Sequence, residues 1–240
     1  MSFQPKQLIV AGVAGLVTAV VVAGVAVQLR SRGEPDNPPI ATESPIPSAP
    51  ADVSATPDVG PIIVKPPTSG CEISMAVVED PDPPLNVRSA PQVRDGNIVG
   101  QLPNGTFVSV ADEQNGWLQI SDPVPGWVAK NRTRSSCPNV VQSIQFFPGG
   151  NSARVTGEII GGGSHSYTRS AEAGQTLTVE SETSVFPRII TPDGQLLGED
   201  PATVGGQQKW SGQLPTSGTY TFQLDSNFRG FEYDFLVTVE

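Results

Sequence analysis

Leu85-Asn86-Val87-Arg88-Ser89-Ala90-Pro91, followed by Gly116-Trp117 and then Gly126-Trp127-Val128, is the part of the sequence whose reading decides the fold. Working outward, Asn104-Gly105 and Asn115-Gly116 are turn signals. They separate β-rich runs such as Thr106-Phe107-Val108-Ser109-Val110 and Trp117-Leu118-Gln119-Ile120. Short strands at this spacing predict a small barrel over residues 71–138.

Residues 139–240 carry a second β pattern. Gln175-Thr176-Leu177-Thr178-Val179 alternates apolar and polar, as do Tyr220-Thr221-Phe222-Gln223-Leu224 and the closing run Tyr233-Asp234-Phe235-Leu236-Val237-Thr238-Val239. Alternation with period two marks half-buried strands. Gly161-Gly162-Gly163, Pro192-Asp193-Gly194 and Ser217-Gly218 are expected to punctuate them. No amphipathic helix stands out beyond the N-terminal segment. The expected fold class is therefore all-β: a barrel followed by a β-sandwich.

Residues 1–30 read as a membrane anchor or signal segment. An uncharged apolar run covers residues 8–27, and about 20 such residues suffice for a transmembrane helix. Lys6 precedes the run and Arg30 and Arg32 follow it, so flanking charge orients it only weakly. A cleaved signal peptide with Gly24-Val25-Ala26 as its cleavage site is the alternative. Ala11, Gly15, Ala19 and Ala23 recur every four residues, a stripe of small side chains that lets membrane helices approach closely. Residues 31–70 are rich in proline, from Pro35 to Pro67, with Ser, Thr, Ala and acids between. Such composition buries too little apolar surface to offset chain entropy, so it is expected to be a disordered, extended spacer.

The formal net charge is -10, and no segment past the N-terminus is basic. Nucleic-acid binding, which needs clustered Lys and Arg, is not expected. Cys71 and Cys137 are the only cysteines and bracket the 71–138 unit. A disulfide between them fits an oxidising compartment and places the bulk of the chain outside the cytoplasm. Two free buried thiols are the other reading.

Taken together, the quoted motifs resemble those of the bacterial SH3-type domain family. That resemblance implies an SH3-like barrel that binds peptidoglycan or an envelope protein and performs no chemistry. Asn86 and Arg88 fall on the motif's polar positions, and Trp117 and Trp127 on its aromatic ones, which makes these four the candidate ligand-binding residues. An indole can wall a groove and offer its N–H to a ligand. Core packing is the alternative for both tryptophans, and a structural ion pair or backbone contact is the alternative for Arg88.

Residues 140–240 are similar to bacterial inhibitors of g-type lysozyme and to β-sandwich domains appended to secreted peptidases. Tyr167, the run Ala173-Gly174-Gln175-Thr176-Leu177-Thr178-Val179, Trp210-Ser211-Gly212-Gln213-Leu214-Pro215 and Gly218-Thr219-Tyr220-Thr221 carry this resemblance. It implies an alternative function, inhibition of a basic lysozyme that the acidic chain would attract, or a non-catalytic scaffold for a secreted enzyme. The family's polar loop before the final strand falls on Asp225-Ser226-Asn227-Phe228-Arg229-Gly230, with Asn227 and Arg229 as candidate inhibitor residues.

Reactive centres are not expected. His165 is the only histidine and is read as an exposed turn residue in Gly163-Ser164-His165-Ser166. A zinc site or a Ser-His-Asp triad would lack ligands or a suitable motif. The acids Glu79, Asp80 and Asp82, and likewise Glu199 and Asp200, lie among prolines and read as solvated loops. No catalytic residue, cofactor or metal is expected. The sequence predicts a single-pass, extracytoplasmic (periplasmic) binding protein of the bacterial inner membrane, held through residues 8–27.

Overall fold

A computed structural model describes residues 60–201 and 205–240. The expected membrane segment over residues 8–27 and most of the expected spacer lie outside the described residues. Among the described residues no helix is long and apolar enough to cross a membrane.

The described chain is all-β, with two seven-stranded sheets and one short 3-10 turn at Lys130–Arg132. One sheet is the barrel. It contains β2 (Met75–Val78), β3 (Leu85–Arg88), β4 (Ile98–Leu102), β5 (Phe107–Gln114), β6 (Trp117–Asp122), β7 (Gly126–Ala129) and β8 (Thr133–Ser135). Their spatial order is β4-β3-β7-β6-β5-β2-β8. Leu85, Val87, Leu102, Val108, Leu118, Ile120 and Val128 fill it with Ala76 and Val78. Nine small or medium side chains make a modest core, which is where a covalent staple matters most. Cys71 and Cys137 form that disulfide, across a sequence separation of 66 residues and a Cα–Cα distance of 5.6 Å.

The other sheet forms the β-sandwich. It contains β1 (Ile62–Val64), β9 (Asn139–Ser143), β10 (Ser152–Ala171), β11 (Thr176–Ser181), β12 (Arg188–Ile190), β13 (Lys209–Gln213) and β14 (Gly218–Val239). β10 and β14 pair antiparallel along nearly their whole lengths. Their halves have different neighbours. β1 lies parallel to residues 153–155 of β10, and β9 to residues 164–168. β11 pairs with residues 235–239 of β14, and β12 with residues 221–223.

The long strands must bend sharply for these halves to share a core. Phe222 and Phe235 are separated by 13 positions, a span of roughly 40 Å in a straight strand, yet their ring centroids are 6.3 Å apart. Tyr167 likewise reaches Phe235 at 6.2 Å. A register shift between Ile160 and Gly162 marks the bend. Opposite it, Gly230 has φ +87°, and a Cβ there would sit 1.7 Å from the Ile159 carbonyl oxygen. Only glycine fits.

Three expectations change. Gly161, Gly162 and Gly163 do not separate strands; they lie within β10 at its bend. The segment from Asp225 to Gly230 is not a loop before the last strand but the middle of β14. Ile62–Val64, inside the stretch expected as spacer, is a strand of the sandwich sheet. The barrel is consequently an insertion between the first two strands of the sandwich.

His165 is the clearest correction. It is fully buried, at 0% exposure, and belongs to β10, not to an exposed turn. Its Nε2 lies 2.8 Å from the Cys137 carbonyl oxygen and its Nδ1 2.7 Å from the Tyr233 hydroxyl. A carbonyl can only accept, so Nε2 carries the proton and Nδ1 of the neutral ring accepts from Tyr233. Tyr233 in turn accepts from Tyr167, 2.6 Å away. Every donor in this chain has an acceptor. Burial pushes His165 below its ordinary pKa, partly offset by the bond to Cys137. Burial raises Tyr167 to about 12 and also raises Tyr233. The Gly/Ser surroundings suggested a turn because bend glycines and turn glycines look alike in sequence.

Two outcomes follow from this junction. Replacing Cys71 and Cys137 together by serine is expected to lower the unfolding free energy by about 4 kcal/mol, measured by urea denaturation. A loss below about 1 kcal/mol would show that the covalent link contributes little. The second concerns pH. Because the folded pKa of His165 is depressed, the unfolded chain binds a proton that the folded chain excludes as pH falls below about 6.5. Stability is therefore full above that pH and declines below it, with a slope approaching about 1.4 kcal/mol per pH unit. Glutamine can donate to Cys137 and accept from Tyr233 without titrating, so His165→Gln is expected to remove that slope. Parallel pH curves for the two proteins would exclude His165 from the linkage.

Candidate binding cleft on the barrel

β3 alternates buried Leu85 and Val87 with half-buried Asn86 and Arg88. The latter two point away from the core, as the pleat requires. The Asn86 side-chain oxygen accepts from Gln101 at 3.0 Å. Arg88 donates to Asn97 at 2.6 Å and more weakly to the Arg94 carbonyl at 3.4 Å. Asn97 itself donates to the Gln92 carbonyl, and its own carbonyl accepts from Ser89 N–H. Arg88 thus organises the β3–β4 connection through neutral partners.

Trp117 opens β6 and pairs with Ala129 of β7. Trp127 pairs with Arg88 of β3 and Gln119 of β6. Both indoles are half-buried, and neither belongs to the barrel's buried core. A cleft of about 260 Å³ brings together Asn86, Arg88 and Trp117 with Val93, Asp82 and Arg132. Trp127 does not line it. A broader cleft of about 940 Å³ shares Val93, Trp117, Ala129 and Arg132, so the two form one continuous depression.

Its charged wall is assembled from distant parts of the chain. Arg132 donates to Asp80 at 2.8 Å and lies 3.9 Å from Asp82. Asp80 was read as a solvated loop acid. It is instead 8% exposed, with its N–H bonded to the Asn104 side chain, whose amide donates back to the Asp80 carbonyl. Lys130 pairs with Glu113 at 2.6 Å. Arg134 pairs with Glu79 and, across to the sandwich, with Glu158. Arg132 carries no local motif that points to this role, since its partner lies 52 positions away.

Asn227 and Arg229 do not join the cleft. Asn227 is in register with Gly162 of β10. The Arg229 guanidinium sits 5.2 Å from the Phe107 ring of the barrel and 5.5 Å from Phe228, a cation–π arrangement. Asp200, another acid read as solvated, pairs with Arg188. Among the described residues no group of three His, Cys, Asp or Glu side chains could hold a metal ion.

The bacterial SH3 domain family matches residues 83–133. No curated protein matches the chain. Among solved structures it is similar to three periplasmic inhibitors of g-type lysozyme, the family that residues 140–240 resemble. Aeromonas hydrophila PliG is 27% identical over 42% of this chain and 97% of that chain, with a TM-score of 0.33. A mutant of the Escherichia coli PliG is 19% identical over 42% and 99%, with a TM-score of 0.35. Salmonella Typhimurium PliG is 23% identical over 44% and 100%, with a TM-score of 0.33.

Position outside the core separates Trp117 from its neighbour. Trp117→Ala is expected to cost about 1 kcal/mol of stability, whereas Leu118→Ala, buried at the barrel centre, costs about 2–5 kcal/mol. Thermal or urea unfolding of the two variants distinguishes them. Equal losses would make Trp117 a packing residue.

Proposed function

We propose that this chain is a non-catalytic, extracytoplasmic binding protein of the bacterial cell envelope, whose SH3-like barrel holds peptidoglycan or an envelope protein. The observation that carries this reading is the cleft itself. Side chains from β3, β6 and the 130–132 turn converge there, and the Trp117 indole is left out of the core. A half-buried indole beside polar groups offers apolar area together with a hydrogen-bond donor. The Cys71–Cys137 disulfide supports an oxidising compartment. The apolar run over residues 8–27 supports retention at the inner membrane, with the described residues on the periplasmic side.

The barrel is favoured over the sandwich for a specific reason. Arg229, the cation expected to act on a lysozyme, lies against two phenylalanine rings, and Asn227 sits in strand register. Neither is presented on a free loop.

Purified cell-wall sacculi test the proposal directly. The full chain is expected to co-sediment with them, and Trp117→Ala to reduce retention by about tenfold while remaining folded. Absence of retention at tens of micromolar sacculus-equivalent peptide would rule out the peptidoglycan reading. Retention unaffected by Trp117→Ala would move the contact elsewhere.

A further inference from the structure

Four charged side chains line the Trp117 cleft, Asp80, Asp82, Arg88 and Arg132; Arg88 is engaged by Asn97, while Asp82 and Arg132 stand side by side and are held very differently. Asp80 fixes Arg132 through the 2.8 Å bond, and its side chain is only 10% exposed. Asp82 is 3.9 Å from the same guanidinium, beyond hydrogen-bond length, with a side chain 92% exposed. The Asp82 carboxylate therefore keeps its acceptor sites open. The Arg132 guanidinium donates to Asp80 through one nitrogen, and the Arg132 carbonyl accepts from Glu79 N–H, so a fork of five donors is left mostly unused. The result is an anchored cation and an open anion on one rim.

We infer that this rim recognises an α-amino-acid zwitterion at the end of a ligand side chain. Its ammonium meets Asp82 and its carboxylate meets Arg132, whose planar fork suits a carboxylate. The aliphatic stem of that side chain runs along Trp117 and Val93. At about 260 Å³ the cleft lies below the usual range of about 300–1,000 Å³ for small-molecule sites. This narrow end suits the end of a side chain. The adjoining broader depression receives the rest of the peptide.

This inference rests on the barrel reading above and makes it specific. A wall peptide containing meso-diaminopimelate ends one side chain in such a zwitterion, whereas its lysine counterpart ends in an ammonium alone. A free amino acid offers the same charged group without the stem or the peptide. The ligand of this rim is the peptide.

Isothermal titration of the full chain tests it with four probes. These are the tripeptide L-Ala-γ-D-Glu-meso-diaminopimelate, the same peptide with lysine, the diaminopimelate peptide amidated on its side-chain carboxylate, and free alanine. The first is expected to bind at least about tenfold more tightly than each of the others. Asp82→Asn, at an exposed position, is expected to erase most of that preference, as is Arg132→Lys, which keeps the charge but loses the fork. Equal affinity for the diaminopimelate and lysine peptides overturns the zwitterion inference and leaves peptidoglycan binding intact. Equal affinity for free alanine overturns the peptide assignment. No binding of any probe, with sacculi still retained, also overturns the inference. Loss of both probe binding and sacculus retention removes the barrel reading itself.

Discussion

Cys137 is the point on which the arrangement depends. Its sulfur closes the barrel through Cys71, and its carbonyl accepts the proton of His165 in the middle of the sandwich. One residue thus fixes the exit of the inserted unit both covalently and through a buried hydrogen bond. The neighbouring backbone adds to this: the Pro138 carbonyl accepts from Ser164 N–H at 2.8 Å, and the Ser136 hydroxyl accepts from Ile160 N–H at 2.7 Å. A Cβ on Gly163 would lie 1.9 Å from the Pro138 oxygen. The chain leaving the barrel is therefore pressed against β10 as closely as backbone allows.

The bend of β10 and β14 follows from the same contact region. A buried imidazole, two tyrosine hydroxyls and a carbonyl are tolerable in an apolar core only if every donor finds an acceptor. That requires Tyr167 and Tyr233, on opposite sides of the bend, to be brought within 2.6 Å. Polar satisfaction and sheet curvature consequently support one another. A straight pair of strands would leave His165 and both hydroxyls buried without partners or exposed without packing.

The barrel was legible in the sequence because its signals are local. Asn115-Gly116 forms its turn with both residues at positive φ, and the Leu85–Arg88 alternation is the observed burial pattern. The sandwich strands at Leu177, Phe222 and Phe235 were legible for the same reason. What local pattern could not convey was long-range. Three residues at Ile62–Val64 pair with β10 across the whole inserted barrel, and nothing in their neighbourhood announces it. His165 looked like a turn residue because glycine marks bends within strands as well as breaks between them. Of the candidate site, Asn86, Arg88 and Trp117 followed from the motif. Asp80, Asp82 and Arg132 did not, since the cleft wall joins positions some 50 residues apart.

The segment from Lys130 to Arg134 shows what the charges in this protein are for. Its three cations reach carboxylates on three different parts of the structure: Glu113 on β5, Asp80 before β3, and Glu158 on β10. Exposed ion pairs such as Lys130–Glu113 contribute little to stability, about 0–1 kcal/mol each, and of the three acids Asp80 is the one close to buried. Their effect here is geometric. They orient one short segment against the barrel hairpin, the β2–β3 connection and the sandwich simultaneously, and that segment carries the wall facing Trp117. Each cation of this segment is matched by an acid of the same chain, whereas Arg88, on the same cleft, is held by the neutral Asn97 side chain and the Arg94 carbonyl. On the rim beside Trp117 the feature is local: a carboxylate open to solvent beside a guanidinium held in place. Such an arrangement discriminates ligands by the pairing of their charges, not by their overall charge.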